Sequence, residues 1–76
     1  MSKAYVLINT ALGKGPEVEA ALKQMDTILE TYAIYGVYDY IIQVQSRDMP
    51  HLRDIVKNKI RNIENIRTTL TLIIIE

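Results

Sequence analysis

Four of the chain's five tyrosines fall between positions 32 and 40, in the stretch YAIYGVYDY, around one glycine and one aspartate. With Gly36 and Val37 in a tight two-residue turn, Tyr35 pairs across from Tyr38 and Tyr40 follows on the same face, while Tyr32 and Asp39 point to the other. Turn N–H groups from Gly36 to Tyr38 bind a carboxylate, the Asp39 carboxylate binds an ammonium, and the rings of Tyr35 and Tyr38 supply apolar walls with a polar end. Those are the parts needed to hold a free amino acid. The same residues also fit a plain hairpin, in which tyrosine pairs stabilise the strands by about 0.2 to 1 kcal/mol each and the aspartate bonds only to turn backbone. The residues alone leave both readings open.

The elements that must position this stretch follow from hydrophobic spacing. KAYVLIN, Lys3 to Asn9, has the β-branched and aromatic content of a strand. GPEVEAALKQM then places Gly15 near an N-cap, Pro16 at the first helical position and Glu17 and Glu19 in the first turn, with Val18, Ala21, Leu22 and Met25 forming one apolar stripe. Leu29 to Tyr35 and Tyr38 to Gln45 read as two strands joined at Gly36. Asp48 is an N-cap with Pro50 in the first turn, and Leu52, Ile55, Val56, Ile60 and Ile63 recur at helical spacing. The chain ends in RTTLTLIIIE, a strand. The order βαββαβ is that of an α+β, ferredoxin-like domain covering residues 1–76, with both helices on one face of a four-stranded antiparallel sheet.

Alternate strand residues point to opposite faces, and here both sets are apolar. Ala4, Val6 and Ile8 form one set of the first strand, Tyr5 and Leu7 the other; in the last strand Leu70, Leu72 and Ile74 oppose Ile73 and Ile75. Two helices cover one face only. The expectation is that Tyr5, Leu7, Ile73 and Ile75 meet a second copy, sheet against sheet, in a twofold dimer of the dimeric α/β-barrel type. Size points the same way, because a chain this short buries only about 60 to 65 per cent of its unfolded surface. With no cysteine and one histidine, neither disulfides nor a structural metal can supplement the core. Nine basic residues balance nine acidic ones, which gives no reason to expect direct nucleic-acid or membrane partners. No leader pattern and no run of roughly 20 apolar residues is present, so a cytoplasmic protein is expected.

KAYVLI at the start, YGVYDYIIQV in the middle and NIRTTLTLIIIE at the end together resemble the RAM domain (regulation of amino acid metabolism). This is the effector and oligomerisation domain of the Lrp/AsnC feast/famine transcription regulators, and the likeness is to its stand-alone form. Gly36 and Asp39 fall on the family's G-x-Y-D-like hairpin, Thr69 and Thr71 on its final V-x-x-T-x-T-like strand. The resemblance implies dimers by sheet packing, assembly of dimers into octamers or decamers, and an amino acid bound at the contact between dimers near Gly36 and Asp39, with Thr69 and Thr71 on motif positions; the hairpin reading adds Tyr35, Val37 and Tyr38 to the expected ligand residues. It also brings in a full-length Lrp/AsnC regulator as a partner. Two departures are visible: no helix-turn-helix precedes the first strand, and Asn65 stands where the family usually has glycine.

Two rival readings are weaker. The RNA-recognition motif shares the βαββαβ order, and Tyr38 and Tyr40 sit two apart on the third strand, but they flank an acidic Asp39 and the charge is balanced. Arg53, Lys57 and Arg61 form a basic stripe on the second helix beside Asp54 and Glu64, which ordinary solvation explains. A small dimeric ferredoxin-like barrel enzyme would need an acid or base in its cleft. His51 stands alone, and no Ser/His/Asp or Cys/His set, carboxylate pair or phosphate-binding loop is evident, so no catalytic residue, metal or cofactor is assigned.

Overall fold

A computed structural model describes residues 1–75. The elements are β1 (Ser2–Thr10), α1 (Gly15–Lys23), β2 (Ile28–Ala33), β3 (Tyr40–Ser46), α2 (Met49–Asp54) continued by a π-helical segment (Ile55–Ile60), and β4 (Ile66–Ile73). The strands form one antiparallel sheet in the order β2-β3-β1-β4, the ferredoxin-like arrangement expected from the element order. The two central strands, β1 and β3, carry the core. Ala4, Val6, Ile8, Tyr40, Ile42 and Val44 face Val18 and Leu22 of α1 and Leu52, Ile55 and Ile60 of the second helix.

The first helix starts as its sequence dictates, with proline in the first turn, Glu17 near the positive end and Lys23 near the negative end. Gly15 has a tertiary reason to be glycine, since a Cβ there would lie 2.9 Å from the Tyr40 hydroxyl. Asp48 caps α2, its carboxylate accepting the His51 N–H at 2.9 Å.

The second helix departs from a regular α-helix. After Asp54 the turns widen, and Arg61 N–H donates to the Val56 carbonyl, five residues back, at 3.2 Å. The cause is legible in side chains. A regular α-helix that buries Leu52 and Ile55 would next aim Lys59 at the sheet. Widening by one residue puts Ile60 there instead, fully buried five positions after the fully buried Ile55, and leaves Lys59 in solvent.

The hairpin also departs from expectation. β2 ends at Ala33, which pairs with Tyr40, so residues 34–39 form a six-residue loop in place of a two-residue turn. Tyr35 and Tyr38 therefore do not pair across strands. Asp39 is drawn away to β1, where its N–H donates to the Ile8 carbonyl at 3.0 Å, while its own carbonyl accepts the Ile34 N–H at 2.9 Å and closes the loop. The turn before β4 rests on Asn65 at φ 74°, the left-handed region that glycine and asparagine tolerate best, so asparagine keeps the turn that glycine would make.

Candidate functional site

The loop 34–39 is an exposed tip on a rigid base. Tyr35 and Val37 stand almost wholly in solvent, and Gly36 adopts φ 150°, a conformation L side chains rarely enter. At the base, Asp39 Oδ2 accepts two hydrogen bonds from Thr10, from its N–H at 2.9 Å and its hydroxyl at 3.2 Å. No hydrogen bond from the described residues reaches Asp39 Oδ1. The N–H groups of Gly36, Val37 and Tyr38 likewise make no backbone hydrogen bond. The loop thus offers an anchored carboxylate with one oxygen unused, beside a run of unused amide donors. Thr10 was missed at the sequence level, because nothing local marks the last residue of β1 as a partner for a side chain 29 positions away.

Next to this base, Tyr40 turns into the core against Gly15. Burial, then the neighbouring Glu19 carboxylate, push the Tyr40 phenol above its ordinary pKa. Glu19 in turn is held below the usual carboxylate range, chiefly by its hydrogen bond with Lys23, whose ammonium lies 2.8 Å away.

Thr69 and Thr71 lie elsewhere. They point to the helix side of β4 and line a groove of about 460 Å³ with Leu52, Arg53, Val56, Lys57, Arg61 and Ile73; no residue of the loop 34–39 borders it. Within one chain the expected ligand residues therefore fall into two groups. Tyr35, Gly36, Val37, Tyr38 and Asp39 share the loop, and Thr69 and Thr71 sit in the groove on the far side of β1.

The uncovered sheet face has an apolar centre flanked by polar Lys3, Glu30, Gln43 and Gln45, with a different membership from that expected. The register aligns Tyr32, Ile41, Leu7 and Leu70 in one row across all four strands, and Glu30, Gln43, Tyr5 and Leu72 in the next. Tyr5 is 37 % exposed, Leu70 43 %, Leu72 49 % and Tyr32 53 %, the accessibility of a surface with nothing packed on it. Tyr5 and Leu7 are on this face as expected. Ile73 is not, since it pairs with the fully buried Ala4 and borders the groove on the helix side, and Ile75 lies beyond the end of β4, 91 % exposed. Alternation alone left the two sets of β4 open. The register resolves them by giving the leucines to the open face and the threonines to the helix face.

One pairing relevant to catalysis appears: the Ser46 hydroxyl contacts His51 Nδ1 and ties the end of β3 to the first turn of α2. Sequence reasoning passed over this pair. Ser46 is only 5 % exposed, and it borders a shallow surface pocket together with His51, Asp26 and Arg47. Among the described residues no group of three His, Cys, Asp or Glu side chains could hold a metal ion.

A four-stranded ferredoxin-like sheet with two helices on one face, and an exposed loop anchored through a carboxylate, define a small α+β domain. The chain belongs to the family described as the Lrp/AsnC ligand binding domain, whose model matches residues 3–76. It is 34% identical over 61 residues to the regulatory protein AsnC of Escherichia coli K12, an alignment that takes in 80% of this chain and 40% of AsnC. The chain thus spans less than half the length of that curated relative. The crystal structure of FFRP-DM1 superposes with a TM-score of 0.96 at 37% identity, covering 99% of this chain and 100% of that one. The feast or famine regulatory protein of M. tuberculosis, solved in complex with L-methionine, matches at TM-score 0.83 and 25% identity over 100% of this chain and 51% of its own. The matched curated relatives are transcriptional regulators.

Proposed function

We propose that this chain is an amino-acid-sensing, self-assembling regulatory module. Copies pair through the open sheet face, the pairs assemble into an octamer or decamer, and a free amino acid binds at the loop 34–39 where pairs meet. The observation that carries this reading is the loop itself: Asp39 is fixed through Oδ2 to Thr10 and keeps Oδ1 for an ammonium, while the amides of Gly36, Val37 and Tyr38, which have no partner among the described residues, serve as carboxylate donors. Thr69 and Thr71 belong to a groove that the loop of the same chain does not border, so they contact the ligand from a neighbouring copy. The methionine-bound relative supports an amino acid as the ligand class. By the same contacts the module enters assemblies of full-length Lrp/AsnC regulators and alters their response.

Native mass spectrometry of the chain, alone and with each of the twenty amino acids, tests this reading. The expected spectrum shows an even-numbered oligomer that gains one amino acid per chain, and mixed oligomers when a full-length regulator is added. An oligomer that binds none of the twenty refutes the sensing role, and the absence of mixed species refutes the regulatory partnership.

A further inference from the structure

The groove between the second helix and β4 carries a charge pattern that the loop does not explain. Arg53, Lys57 and Arg61 line it together. On a regular α-helix, residues four apart drift steadily around the axis, because four positions overshoot one turn of 3.6. In the wider π-helical segment four positions fall short of a turn, so the drift reverses between Lys57 and Arg61. The widening that buries Ile60 thereby keeps all three cations above the same edge strand.

None of the three has an acidic partner among the described residues. The ion pairs lie elsewhere, at Lys14–Glu17, Lys23–Glu19 and Arg47–Asp48. Asp54, the nearest acid in sequence, accepts instead from the Asn58 amide at 2.7 Å. A chain with no net charge therefore concentrates three unpaired positive charges in one groove, where they repel one another. The floor beneath them is apolar, from Leu52, Val56 and Ile73, and two hydroxyls, Thr69 and Thr71, stand on the opposite wall. At about 460 Å³ the groove lies within the size range of small-molecule sites, roughly 300 to 1,000 Å³.

We propose that this groove binds a small organic acid with two carboxylates on a short carbon chain, so that the module responds to acidic metabolites, dicarboxylic amino acids among them. One carboxylate takes the forked donors of Arg53 or Arg61, the other takes Lys57 and a threonine hydroxyl, and the methylene chain lies on Leu52, Val56 and Ile73. The regulatory consequence rests on the reading of Thr69 and Thr71 as effector contacts; the charge complementarity of the groove stands without it.

Calorimetric titration of the intact chain with 2-oxoglutarate, glutamate, methionine and inorganic phosphate separates the two readings, because 2-oxoglutarate has no ammonium for Asp39. The expected result is saturable binding of 2-oxoglutarate that weakens about tenfold or more in Lys57→Gln and in Arg61→Gln, fades with added salt, and is not weakened in Asp39→Asn. Glutamate should lose affinity in all three variants. Binding of 2-oxoglutarate that is unaltered by both groove variants, or matched by phosphate, overturns the proposal. Methionine binding that depends on Asp39, with no binding of either acid, overturns the acidic specificity and leaves the amino-acid-sensing loop intact. Acid binding at the groove with no Asp39 dependence for any amino acid upholds the groove and removes the loop from the ligand site.

Discussion

The two faces of the sheet are built from the same strands and differ in what covers them. On one, Ala4, Val6, Ile8, Ile42 and Val44 lose all contact with water under the two helices. On the other, Tyr5, Leu70, Leu72 and Tyr32 keep between about a third and a half of their surface in solvent, with none of the described residues packed above them. A fold that needed only its own stability would place polar residues throughout the second face, as half-solvated antiparallel sheets do, whereas here Lys3, Glu30, Gln43 and Gln45 flank an apolar centre. That apolar centre fits the proposed contact between copies. The closed face holds the domain together, and the open face is where, in the proposed function, it meets a second copy.

Substitutions can break this comparison in order of severity. Ile8→Ala on the closed face removes a fully buried side chain and should cost about 2 to 5 kcal/mol, enough to unfold much of a small domain, which a denaturant titration reads directly. Leu7→Lys on the open face sits one residue away but should leave the isolated fold nearly intact. It sets a lysine in an apolar contact between copies, costs on the order of several kcal/mol of association, and should turn the oligomer into a folded monomer by sedimentation. Equal loss of folding in the two variants would erase the distinction between the faces.

Asp39→Asn comes third. The asparagine carbonyl can still accept from Thr10, so the loop stays anchored, while loss of charge should weaken amino acid binding by about 1.5 to 3 kcal/mol in a titration with little change in melting. The smallest effect belongs to Tyr40. Its phenol is raised in the folded state, so the unfolded chain loses this proton first as pH climbs past about 10. The stability from the protonated, buried phenol is therefore fully present below that pH and is lost as pH rises through the folded-state pKa. Tyr40→Phe should flatten the alkaline flank of a melting-temperature profile by a small amount.

Much of this architecture was legible in the residues, and the parts that were not share a cause. Periodicity and caps located all six elements, and alternation on β1 identified Tyr5 and Leu7 as a second apolar set. Both are local signals. The length of the loop, the facing of β4 and the widening of the second helix are decided by distant contacts. Asp39 leaves the hairpin for Thr10 and Ile8, Leu70 and Leu72 take their side from pairing with β1, and Ile60 displaces Lys59 to reach the core. Ile73 was misassigned for the same reason, since parity within a strand does not say which face the helices cover. The ligand residues stand between these cases. Their types pointed to amino acid chemistry, but only the fold shows that Thr69 and Thr71 lie in a groove apart from the loop.

Analytical ultracentrifugation of the unmodified chain across micromolar concentrations bears most directly on the open face as an association surface. The account requires dimers or larger even-numbered assemblies, with Leu7→Lys sedimenting as a folded monomer. A native chain that sediments as a stable, folded monomer throughout that range would contradict it.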